Sequence, residues 1–465
     1  MPGTSMDQKL FPGMQDRSYP AGKLWEGLFI PIDNSGLILF RICFGFLLLY
    51  HSIASLLNGS VYKNYIAPPF TFNFIGFDFL QPLPGNGMYW YVALMAVLAL
   101  GILLGAWYRF CAAAFAAMWS ILYLMQKSDY NNHHYLVLLL CWFMVLVPAH
   151  GFRSVDARRG RITPTNTCPA WCTWIFIAQV AIVFFFAAIS KLDADWLSGK
   201  FLMIRFSRLS MHRVYGILYG QAWFPVLIAY TGILFDLLIV PLLLWKKTRK
   251  VAFILFCIFH LFNSFTFGIG IFPYLSISLA IFFFDPQSIR RIFFSQESNN
   301  NLYPKINTTL VSGRKTISIF LCLYFLFQLY LPVRSWFYPG HVFWTEEGYR
   351  MGWKMMMRTK SGTVHFKVKD PSSGKTWTIE PSRIFSKAHM MWLSGSPDII
   401  WQYAQRLKND FNKKGIPNAE VYAIGQVSIN RQPPRPLVDS TVNLAAVPWQ
   451  PFCHANWITE YQRDP

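Results

Sequence analysis

Four short stretches place ionisable and amide side chains at the ends of apolar runs. In "FFFAAISKLDADWLSG" the apolar Phe184–Ile189 gives way to Lys191, Asp193, Asp195 and Trp196. Ionisable groups at membrane depth are costly and so mark candidate sites. An amine there loses hydration, which favours its neutral, basic form. The two aspartates favour the ammonium instead. A neutral amine would serve as a base. The same residues would also serve as a snorkelling Lys–Asp pair with Trp196 as interfacial anchor. "DYNNHHY" puts Asn131, Asn132, His133 and His134 at one helix mouth, where asparagine capping is the simpler reading. "FHLFNSFTFGIGIF" sets His260 and Asn263 one turn apart on one helix face, and that pair points to a cavity. "WTEEGYRMGWKMMMR" packs Trp, Tyr, Met and charge into fifteen residues. An ordinary strand pair would look the same.

The elements that position these groups are those of a membrane protein. Of 465 residues, 54% are hydrophobic and only 14% charged, and mean hydropathy is +0.31. That is too apolar for a soluble chain of this size. The net charge of +20 lies mostly in short loops between apolar runs, as membrane topology requires, and this argues against a nucleic-acid partner. Against the ~20 residues a helix needs to cross hydrocarbon, nine candidate spans lie near 36–57, 88–108, 110–126, 133–149, 172–190, 223–245, 251–268, 270–285 and 315–332, of which the third and fourth are short. The seventh and eighth are split by "FGIGIFPY", where Pro273 and the glycines break a helix and allow a bent, partly re-entrant pair. Gly268 and Gly270 read as packing positions. Arg109, Arg153–Arg161, Lys246–Lys250 and Arg290–Lys315 fall on one side. This predicts an N-terminus inside and a C-terminal part outside. The exception is 191–222, whose outer-side Lys191, Lys200, Arg205, Arg208 and Arg213 suit a re-entrant or interfacial segment lining a site.

Beyond Pro332 the composition changes. "GTVHFKVKDPSSGKTWTIEP" alternates around a turn and predicts a β-hairpin. "SPDIIWQYAQRLKNDFNKKG" predicts a helix between Ser396 and Gly415, and "AEVYAIGQVSIN" a further strand. The expected organisation is a polar segment over 1–30, a multi-pass helical bundle over 31–332, and a small extracytoplasmic or luminal α+β domain over 333–465. No signal peptide is visible at the N-terminus, and no zinc, metal, phosphate-loop or dinucleotide motif appears. The eight cysteines form no disulfide or zinc pattern.

Five stretches, "NNHHYL", "ISKLDADWLSGKF", "FHLFNSFTFGIGIF", "WTEEGYRMGWKMM" and "VSINRQPPRPLVD", occur in the order found in vitamin K-dependent gamma-glutamyl carboxylases. From about residue 30 to 458 the chain resembles that family, whose membrane part is the horizontally transferred transmembrane domain. The resemblance implies an enzyme that oxidises reduced vitamin K, a hydroquinone, with O2 and carboxylates glutamate in a peptide or protein with CO2. It implies that Lys191 is the catalytic base. Animal members carry two lysines there, and here Ser190 precedes the single one. It implies a quinone site at His133, Asn132, His260 and Asn263. It implies that the region Gly348 to Arg358, with Tyr349, Trp353 and Arg358, binds glutamate. Apart from the resemblance, the cations Arg205, Arg208 and Arg213 are expected to attract the carboxylate of the peptide or CO2-derived charge. Asp193, Asp195 and Trp196 would support the site. Animal members carry a long additional luminal domain after the matched part and a luminal disulfide; a more compact relative without that bridge is expected here, because the outer loop 58–86 has no cysteine. Two other readings keep these residues: a quinone-oxidising membrane enzyme of the same fold that acts on another acceptor or lacks carboxylation, and a channel or transporter. The lack of an internal inverted repeat weighs against transport.

Overall fold

A computed structural model describes residues 24–207, 209, 216–294, 313–355 and 357–461. Its membrane part is a helical bundle. The long helices are α1 (Ser35–Leu57), α2 (Gly87–Leu104), α3 (Tyr108–Met125), α5 (Trp171–Ser190), α6 (Trp223–Leu244), α7 (Arg249–Phe267) and α9 (Arg314–Val333). These seven are long and apolar enough to span a membrane. The other two expected spans are short. Helix α4 covers only Asn132–Leu146, and α8 covers Phe272–Leu279 before continuing as a tighter turn to Phe283. At 1.5 Å per residue, neither crosses the hydrocarbon alone.

Local chemistry sets both lengths. The Asn131 side chain accepts the His134 backbone N–H at 2.8 Å and fixes the start of α4. The helix stops at Val147 because the residue before Pro148 is driven out of the helical region. Between α7 and α8, Gly268 and Gly270 adopt φ of +60° and +59°, the left-handed conformation that glycine takes without penalty. Pro273 then sits in the first turn of α8, where its missing N–H costs nothing. A Cβ on either glycine would meet nothing within 4 Å, so they are turn formers at open space and not packing positions.

Helix α1 packs on α2, α3 on α4, and α5 on α6, which also contacts α7. Arg41, 1% exposed near the start of α1, donates to the carbonyls of Ile102, Leu103 and Arg153 at 3.2, 3.0 and 2.8 Å. It satisfies the orphan carbonyls at the end of α2.

The C-terminal part is α+β. Strands β1 (Lys360–Lys369), β2 (Thr376–Ile379) and β3 (Glu420–Ile429) form an antiparallel sheet in the order β2-β1-β3, with Phe366 opposite both Ile379 and Ala423. Val364, Phe366 and Val368 are buried at alternate positions, as the period of a strand demands. Helices α10 (Lys387–Gly395) and α11 (Pro397–Lys413) cover the sheet. The hairpin, the Ser396-started helix and the last strand match the sequence reading.

This domain sits on the outer end of the bundle. Lys127, in the turn between α3 and α4, pairs with Asp398 of α11 at 2.6 Å and donates to Gln402 at 2.7 Å. The pairing continues from Asp398 to Arg350 at 2.7 Å, to Glu346 at 3.5 Å and on to Arg358 at 2.5 Å. Burial alone would raise the Asp398 carboxyl, but Arg350 and Lys127 outweigh it and hold it below the usual range. The segment after α5 packs here too: Trp196, Phe201 and Phe206 share a core with Phe343 and Trp344.

Candidate active site

Two cavities meet beneath the C-terminal domain. The first, of about 520 Å³, lies among α5, α6 and α7. Val183, Phe184 and Ala187 of α5, Phe235 and Ile239 of α6 and Phe259 of α7 make its walls apolar. Leu234, Leu238, Leu255 and Ile258 line it and are also on the exterior of the bundle, so the cavity faces lipid between α6 and α7. Its polar groups are Lys191, Asp236, His260, Asn263, Thr231 and His133.

Lys191 caps the C-terminus of α5 and is 8% exposed. Its amine forms an ion pair with Asp236, which α6 contributes from its middle. Trp196 lies beside it, the amine 5.2 Å from the ring centroid. The indole Nε1 donates to the Ala229 carbonyl at 3.0 Å and ties this loop to α6. Asp193 and Asp195, expected beside the amine, do not line the cavity. Asp193 caps the following turn and lies 3.3 Å from His341 Nε2. Asp195 accepts from Asn430 Nδ2 at 2.8 Å. Through these contacts both carboxylates tie the segment to the C-terminal part.

His260 is 1% exposed, and neither ring nitrogen has a hydrogen-bond partner among the described residues. A buried imidazole left so costs free energy unless a guest supplies the partner. Asn263 lines the same wall one turn along.

The second cavity, of about 490 Å³, lies under the C-terminal domain and carries more polar and cationic side chains than the first, among apolar ones. Its lining includes Asn132, His133, Arg205, Tyr349, Lys354 and Arg358. Gly268 and Gly270 border it. His133, Ile269, Phe272 and Met355 line both cavities and form the partition. His133 is stacked on Phe272 with ring centroids 3.9 Å apart. Asn132 accepts from the Tyr130 hydroxyl at 2.8 Å and donates to the Lys354 carbonyl at 3.2 Å, so it positions the second cavity and is absent from the first. Arg358 lies over the Tyr349 ring at 4.5 Å, its guanidinium held by Glu346. Those contacts keep it charged, its pKa raised despite burial.

Trp353 is a further expected site residue that the structure places outside both cavities. It is fully buried against Tyr135, ring centroids 5.2 Å apart, and lines neither cavity. Its φ of +57° turns the side chain inward while Lys354 and Met355 reach the cavities. Arg208 and Arg213 lie outside the described residues.

Two residues of the site went unnoticed in the sequence. Asp236 is the only acidic or basic residue in Trp223–Leu244, and an isolated acid in an apolar span is itself the signal. Lys354 does not stand out by itself, although it lies in the stretch singled out for its Trp, Tyr, Met and charge and inside the region Gly348 to Arg358 expected to bind glutamate.

The HTTM domain model matches residues 29–287, more than half of the chain. The model of the vitamin K-dependent gamma-carboxylase luminal domain matches residues 313–464. The chain belongs to the vitamin K-dependent gamma-carboxylase family. It is a multi-pass membrane protein of the carboxylase type, and the α+β domain on the outer end of its bundle corresponds to the family's luminal domain. No solved structure matches the chain.

Proposed function

We propose that this protein is a vitamin K hydroquinone-dependent gamma-glutamyl carboxylase, with its N-terminus cytoplasmic and its C-terminal domain outside the cytoplasm or in the lumen. The observation that carries this reading is the meeting of the two cavities at His133 and Met355: one apolar and lipid-facing, the other richer in polar and cationic side chains. A lipid-borne quinone and a peptide glutamate need those two environments side by side.

The residues of the apolar cavity fit the quinone. Its walls suit an apolar ring system, and His260 supplies orphaned nitrogens at its polar end. The γ-hydrogen of glutamate is a very weak carbon acid. If its pKa exceeds that of a lysine amine by about 10 units, direct transfer costs roughly 14 kcal/mol. No side chain closes that gap. Reduced vitamin K, when bound, supplies the strong base through its reaction with O2.

The chain's own groups prepare and guard that chemistry. Lys191 accepts a phenolic proton, an easy transfer because phenols have a pKa near ~10. Before that transfer Asp236, its ion-pair partner, takes up the proton the amine sheds, so that Lys191 is neutral when it acts as base and neither group is a lone charge in an apolar wall. His260 and Asn263 hydrogen-bond the polar end of the ring system and orient it. The apolar faces of α5, α6 and α7 exclude water, which would otherwise quench a carbanion. In the polar cavity Arg205, Tyr349 and Arg358 face the peptide, and CO2 adds to its γ-carbon at the partition.

The test is an assay in detergent with reduced vitamin K, labelled bicarbonate and a short glutamate peptide. Label in the peptide together with epoxide supports the reading. Epoxide without label would leave a quinone-oxidising enzyme of the same fold, and neither product would remove both.

A further inference from the structure

Lys354 is the one group of the polar cavity whose charge has no answer. It is 6% exposed and its amine has no ion-pair partner among the described residues. Burial, then the nearby Arg334, bring it down to about 8. The cavity's charged lining consists of Arg205, Lys354 and Arg358, with no carboxylate among them. Arg358 is committed to Glu346 and to the Tyr349 ring. Arg205 lies 6.0 Å over the Phe267 ring at the cavity's edge. The backbone of Lys354 is held in place by Asn132, at the mouth of α4, and its neighbour Met355 forms part of the partition between the cavities.

We propose that Lys354 holds the carboxylate of the acidic side chain that enters this cavity, and so makes the protein prefer glutamate to its neutral isostere glutamine. The inference rests on the carboxylase reading and adds the residue that selects the substrate. A buried ammonium without a counter-ion is destabilising, and an anionic guest relieves it. A neutral amide of the same shape cannot. Arg358 cannot take this role without giving up Glu346. Lys354 can, because binding costs it no existing ion pair. Its position beside Met355 puts the carboxylate next to the partition, with the adjacent γ-carbon directed at the apolar cavity.

The experiment measures binding, apart from turnover. Fluorescently labelled peptides differing only by Glu or Gln are titrated into the full-length protein in detergent, for wild type, Lys354→Gln and Lys354→Arg. Wild type binds the Glu peptide more tightly. Lys354→Gln loses about tenfold or more of Glu-peptide affinity, the usual cost of removing one partner of a buried charge pair, and leaves Gln-peptide affinity unchanged. Lys354→Arg retains the preference. An equal loss for both peptides in Lys354→Gln, or no loss for either, overturns the assignment, as does a Lys354→Arg protein with no preference. Bicarbonate that displaces the Glu peptide from wild type and not from Lys354→Gln would give the amine to an inorganic anion and overturn it too. If wild type itself fails to discriminate, the carboxylase reading of this cavity falls with the proposal. If wild type and Lys354→Gln both discriminate, only the role of Lys354 falls.

Discussion

Lys191 and Asp236 form a buried ion pair in the wall of the apolar cavity, the amine from the end of α5 and the carboxylate from the middle of α6. The pair closes one end of a lipid-facing chamber and presents its amine to whatever occupies the chamber. Breaking such a pair from one side leaves an uncompensated charge in apolar surroundings, whereas removing both charges does not. Lys191→Met and Asp236→Leu should each lower stability by about 3 kcal/mol or more. The double variant should be more stable than either single one. Thermal melts in one detergent decide this, and strictly additive losses would show that the two groups do not depend on each other. Lys191→Ala should form neither epoxide nor carboxylated peptide. Epoxide retained by that variant would remove its role as base.

His260 offers the opposite case. Its nitrogens have no partners to lose among the described residues, so His260→Phe should not lower the melting temperature. It should raise the KM for reduced vitamin K about tenfold, from the ~1–3 kcal/mol of a lost hydrogen bond to a buried group. A drop in stability with unchanged KM would make His260 a packing residue only.

The ion-pair chain that seats the C-terminal domain sets its acid sensitivity. Asp398 is held below its unfolded pKa of about 3.9 by Arg350 and Lys127, against the effect of burial. A depressed carboxyl contributes stability that is complete above the unfolded value and is lost as pH falls through the folded one. Docking of the domain should therefore be insensitive to pH from neutrality to about 4 and weaken below that. Asp398→Asn should remove about 3 kcal/mol at neutral pH, because Lys127 and Arg350 remain buried without it. Limited proteolysis across 333–465 against pH measures both effects. An Asp398→Asn protein as resistant as wild type at neutral pH would show that the apolar contacts alone hold the domain.

The sequence made some of this legible because the signals were local. The hairpin from Lys360 to Ile379 and the helix from Pro397 to Lys413 follow from alternation, turn residues, a serine start and a glycine stop. The two short helices, α4 and α8, count among the candidate spans for their hydropathy, although the first already reads as short and Pro273 with its glycines already marks a break at the second. Pairings were not legible. Lys191 stands two residues from Asp193 and 45 from Asp236, and nearness along the chain favoured the wrong partner. Asp193 and Asp195 instead join the segment to His341 and Asn430. Trp353 and Lys354 are adjacent, and only the positive φ at Trp353 decides which of them faces the cavity. No property of either residue type carries that information.

Arg41 tests whether every ionisable residue inside this bundle belongs to the site. It is as buried as His260, yet all three of its described hydrogen bonds go to backbone carbonyls at the end of α2 and in the loop of Arg153. It lines neither of the two cavities. Its task is to satisfy acceptors that lipid cannot. Arg41→Met should therefore cost about 3 kcal/mol or more, since bonds from a charged donor contribute about 1.5–3 kcal/mol each and do not add fully. The fraction that folds should keep the wild-type KM for both quinone and peptide. Normal stability combined with a raised KM for either substrate would place Arg41 in the reaction, and would mean that the boundary between scaffold and site lies deeper in the bundle than the two cavities.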